Sequence, residues 1–161
     1  MELGATTALV ARVTLAAAFA LSAASKLGNR TAFARGLAEF GVPGSRVVAG
    51  TLPVVEGGLA VALVVVRDAA WPAFLAIAVL AAFTVAVIAS LLSGAPKPCP
   101  CFGPPGADAA PVSAATVARN GCLVAVAVLG TGSTAGASPA GTAAGAAIAV
   151  TVTLAFLRRF G

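Results

Sequence analysis

Five apolar stretches dominate the sequence, and each is close to the length that crosses a lipid bilayer. They cover residues 5–25, 47–66, 71–92, 113–131 and 142–157. About 20 helical residues, each rising about 1.5 Å, span a hydrocarbon core of about 30 Å. The chain has 161 residues, of which 60% are hydrophobic and only 9% charged, a composition far outside that of soluble domains. The sequence therefore predicts an all-α polytopic transmembrane bundle of four to five helices.

The first and fifth stretches allow alternative interpretations. The fifth is short and rich in alanine and glycine, so it is either a span, a tilted helix or a hairpin partner. The first has small residues at a signal-cleavage-like position, Ser22-Ala23-Ala24, but it begins with Glu2 and carries only Arg12 as a cation. Because secretory leaders begin with a basic region, we interpret it as a retained helix. Residues 1–161 are expected to form one membrane domain.

The first connector, residues 26–46, is predominantly basic. Phe33, Leu37 and Phe40 recur in it at helical spacing, which predicts either a short amphipathic helix at the membrane interface or a solvated connector. The sequence 41–44, Gly-Val-Pro-Gly, should break that helix before the second span. The next connector is only Arg67-Asp68, so the second and third spans should be antiparallel neighbours.

The net charge of +5 is better explained by membrane topology than by a nucleic-acid partner. The basic residues are scattered through connectors and are not clustered with aromatic side chains. With five spans, the basic first connector, the loop after the third span and the Arg158-Arg159 tail share one face. The positive-inside rule makes that face cytoplasmic.

A proline-rich loop between the third and fourth spans carries Cys99-Pro100-Cys101. Prolines exclude a helix and restrict the backbone, so the two sulfurs are held close together. A disulfide between residues i and i+2 closes a strained ring that is readily reduced, which favours a cycling redox pair. Two thiolates also suit Cu(I), and a structural tight turn is a third interpretation. The sequence has no histidine or tyrosine, so cysteine is its main reactive side chain.

Four further residues within the apolar stretches are candidates for function. Cys122 is either a small packing residue or a third thiol that exchanges electrons with the loop pair. Arg12, Glu56 and Arg119 are charged, and charged residues within spans usually face the bundle interior in pairs. We expect Glu56 near the middle of the membrane, with Arg119 or Arg12 as its partner, in a structural ion pair or a proton relay.

Several short elements occur together in one order: Ser25-Lys26-Leu27, then Leu52-Pro53-Val54-Val55-Glu56, then Cys99-Pro100-Cys101-Phe102-Gly103, then Arg119-Asn120. In this order they resemble the MauE family, which is related to DoxX-like membrane proteins. The resemblance covers about residues 5–131, and the Cys-x-Cys-Phe-Gly element is its most specific part. The apolar stretch at 142–157 lies beyond it.

The resemblance implies a bacterial plasma membrane protein that supports disulfide formation or electron transfer for an exported client. Such a client is the small subunit of methylamine dehydrogenase, matured with a thioredoxin-like partner. Cys99 and Cys101 would be the redox pair, Phe102 and Gly103 would shape the turn, and the supporting residues would be Glu56, Arg119, Arg12, Lys26 and Pro53. A membrane quinone is a candidate for reoxidation, although no motif specifies its site.

Two alternatives stay open beside thiol redox chemistry. One is a non-catalytic membrane scaffold that holds a redox partner, and the other is a Cu(I)-handling module. Orientation also matters, because maturation of an exported client requires the cysteines outside, whereas the positive charges place them inside.

Overall fold

The computed structural model describes residues 2–93 and 112–134, together with the isolated positions 147 and 151. Over these residues the chain is entirely helical and has no strand. The helices are α1 (Glu2–Gly28), α2 (Arg30–Glu39), α3 (Ser45–Val65), α4 (Trp71–Leu92) and α5 (Ala114–Leu129). The predicted all-α bundle is therefore confirmed. The Cys-Pro-Cys loop and nearly all of the fifth apolar stretch lie outside the described residues.

The first four apolar stretches all form helices. Three of them, α1, α3 and α4, are long and apolar enough to cross a membrane, whereas α5 is a shorter apolar helix. Helix α5 has 16 residues and is shorter than the predicted stretch 113–131, because capping residues define where it begins and ends. Ser113 forms a capping box with Thr116 at the start, and Gly130 is the C-cap.

The first connector contains the predicted amphipathic helix, α2. The Asn29 side chain accepts a hydrogen bond from the Ala32 backbone N–H (3.3 Å) and caps its first turn, as short polar residues do at helix starts. Phe33 is buried while Arg30 and Arg35 are exposed. After α2 the chain turns through two glycines with positive φ, Gly41 and Gly44, a conformation that glycine adopts without steric cost.

The four apolar helices form a ring in which each packs against its neighbours along the order α1, α3, α4, α5 and back to α1. The pairing of α1 with α3 is the most extensive, and that of α3 with α4 is the least extensive; α2 lies against α3. The common core is made of alanines, leucines and one phenylalanine, including Leu15, Phe19, Leu59, Leu63, Leu80 and Leu123.

The outer surface of the bundle is apolar. Helix α4 has the highest mean hydropathy of the three long helices, 2.7, yet only 22% of its most apolar window is buried. Phe74 and Val85 are 60% and 66% exposed. Such a surface is costly in water and favourable against lipid tails, so the helices present their apolar residues both to the core and to the bilayer.

One buried arginine joins the ends of three structural elements. The Arg12 guanidinium donates through Nε to the Gly130 carbonyl (2.7 Å), through Nη1 to Val66, and through Nη2 to Ala69 (2.9 Å) and Gly132 (3.2 Å). We call these contacts the Arg12 network. Carbonyls at helix C-termini lack intrahelical donors, and the fork of an arginine supplies several at once. Arg12 thereby ties the ends of α3 and α5, and the start of α4, to α1.

We predict that Arg12→Met destabilises the bundle by about 3 kcal/mol or more, because it leaves several buried carbonyls without donors. Arg12→Lys should recover part of this loss, since an ammonium donates from a single point. Thermal unfolding in detergent, followed by circular dichroism, measures the change. Arg67→Met is the matched control, because Arg67 lies at the same end of the bundle with an exposed side chain. Equal melting temperatures for the Arg12 and Arg67 variants would contradict this role.

The helix directions place the basic connector and the two ends of the cysteine loop at one end of the bundle. The Arg12 network gathers the C-termini of α3 and α5, so the N-termini of these helices lie at the opposite end. That opposite end therefore holds the 30–46 connector and residues Ser93 and Val112, between which the cysteine loop runs. Three exposed arginines lie in the connector, namely Arg30, Arg35 and Arg46.

From this charge asymmetry we predict that the connector end faces the cytoplasm. In a variant without native cysteines, a cysteine at position 35 should react with a membrane-impermeant maleimide only after the cells are permeabilised. A cysteine at position 68, in the opposite connector, should react in intact cells. Labelling of position 35 in intact cells would reverse this topology.

Candidate functional site

A buried ion pair lies inside the bundle between α1 and α3. Lys26 Nζ contacts Glu56 Oε1 in a salt bridge, and the two side chains are 1% and 0% exposed. Ser22 connects them, because Lys26 Nζ donates to Ser22 Oγ (2.8 Å) and Ser22 Oγ donates to Glu56 Oε2 (3.2 Å). Both carboxylate oxygens of Glu56 thus accept hydrogen bonds, one from Lys26 and one from Ser22.

Two aromatic rings complete the surroundings of the lysine. Its Nζ lies 5.5 Å from the centroid of the Phe33 ring and 5.0 Å from that of Phe83. Both distances are within the range of cation–π attraction. We call Ser22, Lys26, Phe33, Glu56 and Phe83 the Lys26 cluster. It draws one side chain or more from each of α1, α2, α3 and α4.

The sequence brings these side chains together through helical periodicity. On α1, Arg12, Leu15, Phe19, Ser22 and Lys26 follow one another at spacings of three and four residues, and all are buried. On α3, Glu56 belongs to the buried stripe Ala49, Pro53, Glu56, Leu59 and Leu63. Residues at these spacings share one helix face. The α1 and α3 stripes pack against each other, so their polar members meet inside the core.

Pro53 lies one turn before Glu56 on the same buried stripe. Because proline has no backbone N–H, it leaves the carbonyl of Ala49 without its usual helical donor. A supporting role for Pro53 stays a prediction.

Helix α5 contributes Arg119 and Asn120, which are 5% and 1% exposed. Ser22, Glu56 and Asn120 each lie ten residues from a member of the Arg12 network, counting from Arg12, Val66 and Gly130 respectively. At about 1.5 Å per residue this places all three about 15 Å from that network, or about half of a hydrocarbon core. Ser22, Glu56 and Asn120 therefore lie at about the same height in the bundle. We call these three residues, with Lys26 and Arg119, the polar layer.

The predicted partner of Glu56 was wrong. The sequence suggested Arg119 or Arg12, but the carboxylate pairs with Lys26. Arg12 lies two heptads before Lys26 on the same face of α1. Its guanidinium donates hydrogen bonds to backbone carbonyls and not to the Glu56 carboxylate. Lys26 was assigned to the connector in the sequence, yet α1 continues to Gly28, which keeps the lysine on the buried stripe.

Of the three predicted thiols, only Cys122 lies within the described residues. Cys99, Cys101, Phe102 and Gly103 lie outside these residues. Cys122 is a free cysteine with an exposed side chain, next to the buried Leu123 on α5, so it faces outward from the bundle. Across residues 2–93 and 112–134, no group of three or more histidine, cysteine, aspartate or glutamate side chains is arranged to hold a metal.

Four buried or half-buried residues around the ion pair were not predicted as functional from the sequence, namely Ser22, Phe33, Phe83 and Asn120. Asn120 entered only as part of the Arg119-Asn120 element of the family resemblance. Ser22 precedes Lys26 by four residues, and that spacing alone places both on one face of a helix. Phe33 was recognised only as part of an amphipathic pattern. Phe83 had no local signal, because one phenylalanine in an apolar span looks like any other.

We predict that removing either member of the ion pair destabilises the bundle more than removing both. Glu56→Leu or Lys26→Met alone leaves an uncompensated buried charge, which costs about 3–5 kcal/mol, whereas the double variant has no such charge. A double-mutant cycle on thermal unfolding in detergent measures the coupling. Glu39→Leu makes the same change at an exposed glutamate and should have little effect. Additive losses in the cycle would contradict the pairing.

Comparison with known proteins gives one family. No curated protein and no solved structure matches the chain. Residues 4–133 match the family described as "Methylamine utilisation protein MauE", which includes both polar networks, all five described helices except the first two residues of α1, and the Cys-Pro-Cys loop. The chain therefore belongs to the MauE family of membrane proteins linked to methylamine utilisation.

Proposed function

We propose that this protein supports thiol–disulfide exchange at the bacterial plasma membrane through Cys99 and Cys101. The observation that carries the proposal is the Cys-Pro-Cys motif itself, which lies within the family-matched region 4–133. Its partner would be a thioredoxin-like protein if the connector end faces the cytoplasm, as the charges predict, and an exported client that contains disulfides if labelling of position 35 reverses that topology. A methylamine dehydrogenase-type protein is the client that the family description favours.

The bundle supports this proposal by supplying a rigid platform for the loop. The loop leaves α4 after Ser93 and returns before α5, and these two helices pack closely against each other. Its two ends are therefore held at the same end of the bundle. Reactive loops anchored on a rigid scaffold are a common arrangement for functional sites.

The exchange would follow the usual course of thiol–disulfide chemistry. One cysteine thiolate attacks a partner disulfide, forms a mixed disulfide and releases one partner thiolate. The second cysteine thiolate attacks the mixed disulfide, releases the other partner thiolate and forms the Cys99–Cys101 bond. The partner gains two electrons and the cysteine pair loses two. The reverse sequence transfers a disulfide to the client.

In this proposal the Lys26 cluster holds the bundle in register. It links α1 to α3 by charge and to α2 and α4 by aromatic contact, and its members are buried. A polar cluster of this kind in a membrane interior specifies one packing arrangement, because any shift of a helix would leave a charge facing hydrocarbon. Glu56, Arg119 and Pro53 thus act as positioning residues.

We predict that Cys99→Ser and Cys101→Ser each abolish the gain in client disulfides that the wild-type protein provides. Alkylation trapping of a co-expressed, disulfide-rich client, read on non-reducing gels, measures the yield. Cys122→Ser is the matched control, and it should leave the yield unchanged because that sulfur faces outward from the bundle. A loss in the Cys122 variant would assign it the role of a third thiol.

Unchanged client oxidation in both loop variants would exclude thiol exchange by this protein. If the variants also kept their partner on co-purification, the protein would instead act as a non-catalytic membrane scaffold. Lower client oxidation with normal bundle stability is the result that supports exchange.

A further inference from the structure

An open groove of about 250 Å³ lies between the end of α2 and the last turns of α4. Its mainly apolar walls are formed by Phe40, Val42, Ala86, Ala89, Ser90 and Ser93. The two serines offer little to a polar ligand, because Ser93 Oγ donates to the Ser90 carbonyl (2.7 Å) and Ser90 is only 7% exposed. The groove therefore suits a hydrocarbon chain better than a polar molecule.

The groove borders the lipid phase near one face of the bilayer. Its neighbours on α4, Val85, Ile88 and Leu92, are all exposed, so lipid tails surround this part of the helix. Helix α4 has 22 residues, or about 33 Å, which is enough to cross a hydrocarbon core of about 30 Å. Ser93 therefore lies near the boundary of that core, and Ala86 lies about 10 Å deeper. At this depth the groove meets the upper part of an acyl chain, directly below its headgroup.

The basic connector supplies positive charge at the same end of the bundle. Residues 30–46 carry three arginines and one glutamate, a net charge of +2, and all four side chains are exposed. Two of the arginines lie close to the groove along the chain. Arg35 precedes Phe40 by five residues, or about 7.5 Å along α2, and Arg46 follows Val42 by four residues. Guanidinium groups bind phosphate oxygens through paired, charge-assisted hydrogen bonds.

We propose that this end of the bundle binds an anionic phospholipid, with an acyl chain in the groove and the headgroup phosphate beside Arg35 and Arg46. The apolar walls match the hydrocarbon, and the exposed guanidinium groups match the phosphate. A zwitterionic phospholipid has the same chains, but its own cation is repelled by the arginines. A free phosphate ion has no chain and makes no use of the groove. The charge and the groove together thus favour an anionic lipid over both.

The lipid would fill a gap in the packing of the described helices. Helix α2 packs against α3 but makes little direct contact with α4, and the α3–α4 pair is the least closely packed of the ring. A chain that lies between α2 and α4 adds contacts that the protein alone lacks. Because a ligand of the folded state stabilises that state, the bound lipid should also stabilise the bundle. This site is independent of Cys99 and Cys101 and goes beyond thiol exchange.

The test is native mass spectrometry of the full chain in a neutral detergent, titrated with phosphatidylglycerol or with phosphatidylcholine that has the same acyl chains. We expect the first phosphatidylglycerol to bind about fivefold or more tightly than phosphatidylcholine. Arg35→Gln and Arg46→Gln should each weaken phosphatidylglycerol binding about fivefold, the loss expected for one cation near an anionic headgroup. Arg67→Gln is the matched control, because it removes an exposed arginine at the opposite end of the bundle and should bind like the wild type.

A second pair of variants tests the groove. Ala89→Phe fills it and should weaken binding of both phospholipids about tenfold, the loss expected when about two methylene groups are no longer buried. Ala81→Phe makes the same change at an exposed alanine of α4 outside the groove and should have no effect. If Ala89→Phe lowers the melting temperature, the smaller Ala89→Leu provides the same comparison with a reduced effect.

Soluble glycerophosphoglycerol, which is the headgroup without its chains, should not displace the bound lipid. Displacement by this compound or by inorganic phosphate would show a site for a free anion and overturn the lipid site. Equal affinities for the two phospholipids would overturn it too, and so would equal losses in the Arg67 variant and the Arg35 and Arg46 variants. Unchanged binding when position 89 is filled would exclude the groove as the place of the acyl chain.

Discussion

The salt bridge between Lys26 and Glu56 is the interaction on which the rest of the bundle depends. Two charges in a membrane interior are tolerated only when each is paired and hydrogen-bonded. Ser22 meets the second carboxylate oxygen, and the Phe33 and Phe83 rings cover the ammonium. Because these side chains come from four helices, the cluster fixes the relative position of all four. A slide of one helix by a single turn would separate the charges.

The Arg12 network performs a different task at the other end of the same α1 stripe. There the cation meets four backbone carbonyls and no carboxylate, so it closes the ends of α3 and α5 in place of water. Leu15 and Phe19 lie between the two polar sites and provide the apolar part of the interface with α3. One helix therefore carries an ion pair, an apolar layer and a set of helix caps in turn.

The Lys26 cluster, through Phe33 of α2, and both ends of the cysteine loop lie toward the basic connector. The outer surface of the described helices is mainly apolar, as contact with lipid tails requires.

The sequence by itself determined the membrane class, the helices and the family. The third apolar stretch predicted both ends of α4, residues 71–92, because a segment that crosses lipid must satisfy its own backbone hydrogen bonds as a helix. The sequence also identified Glu56, Arg12 and Arg119 as costly residues that require an explanation, whereas Lys26 was assigned to the connector. Only the tertiary structure decided their partners. From the sequence, more than one cation was a possible partner of Glu56. The packing of the α1 stripe against α3 brings Lys26 to Glu56 and places the Arg12 guanidinium at the C-termini of α3 and α5.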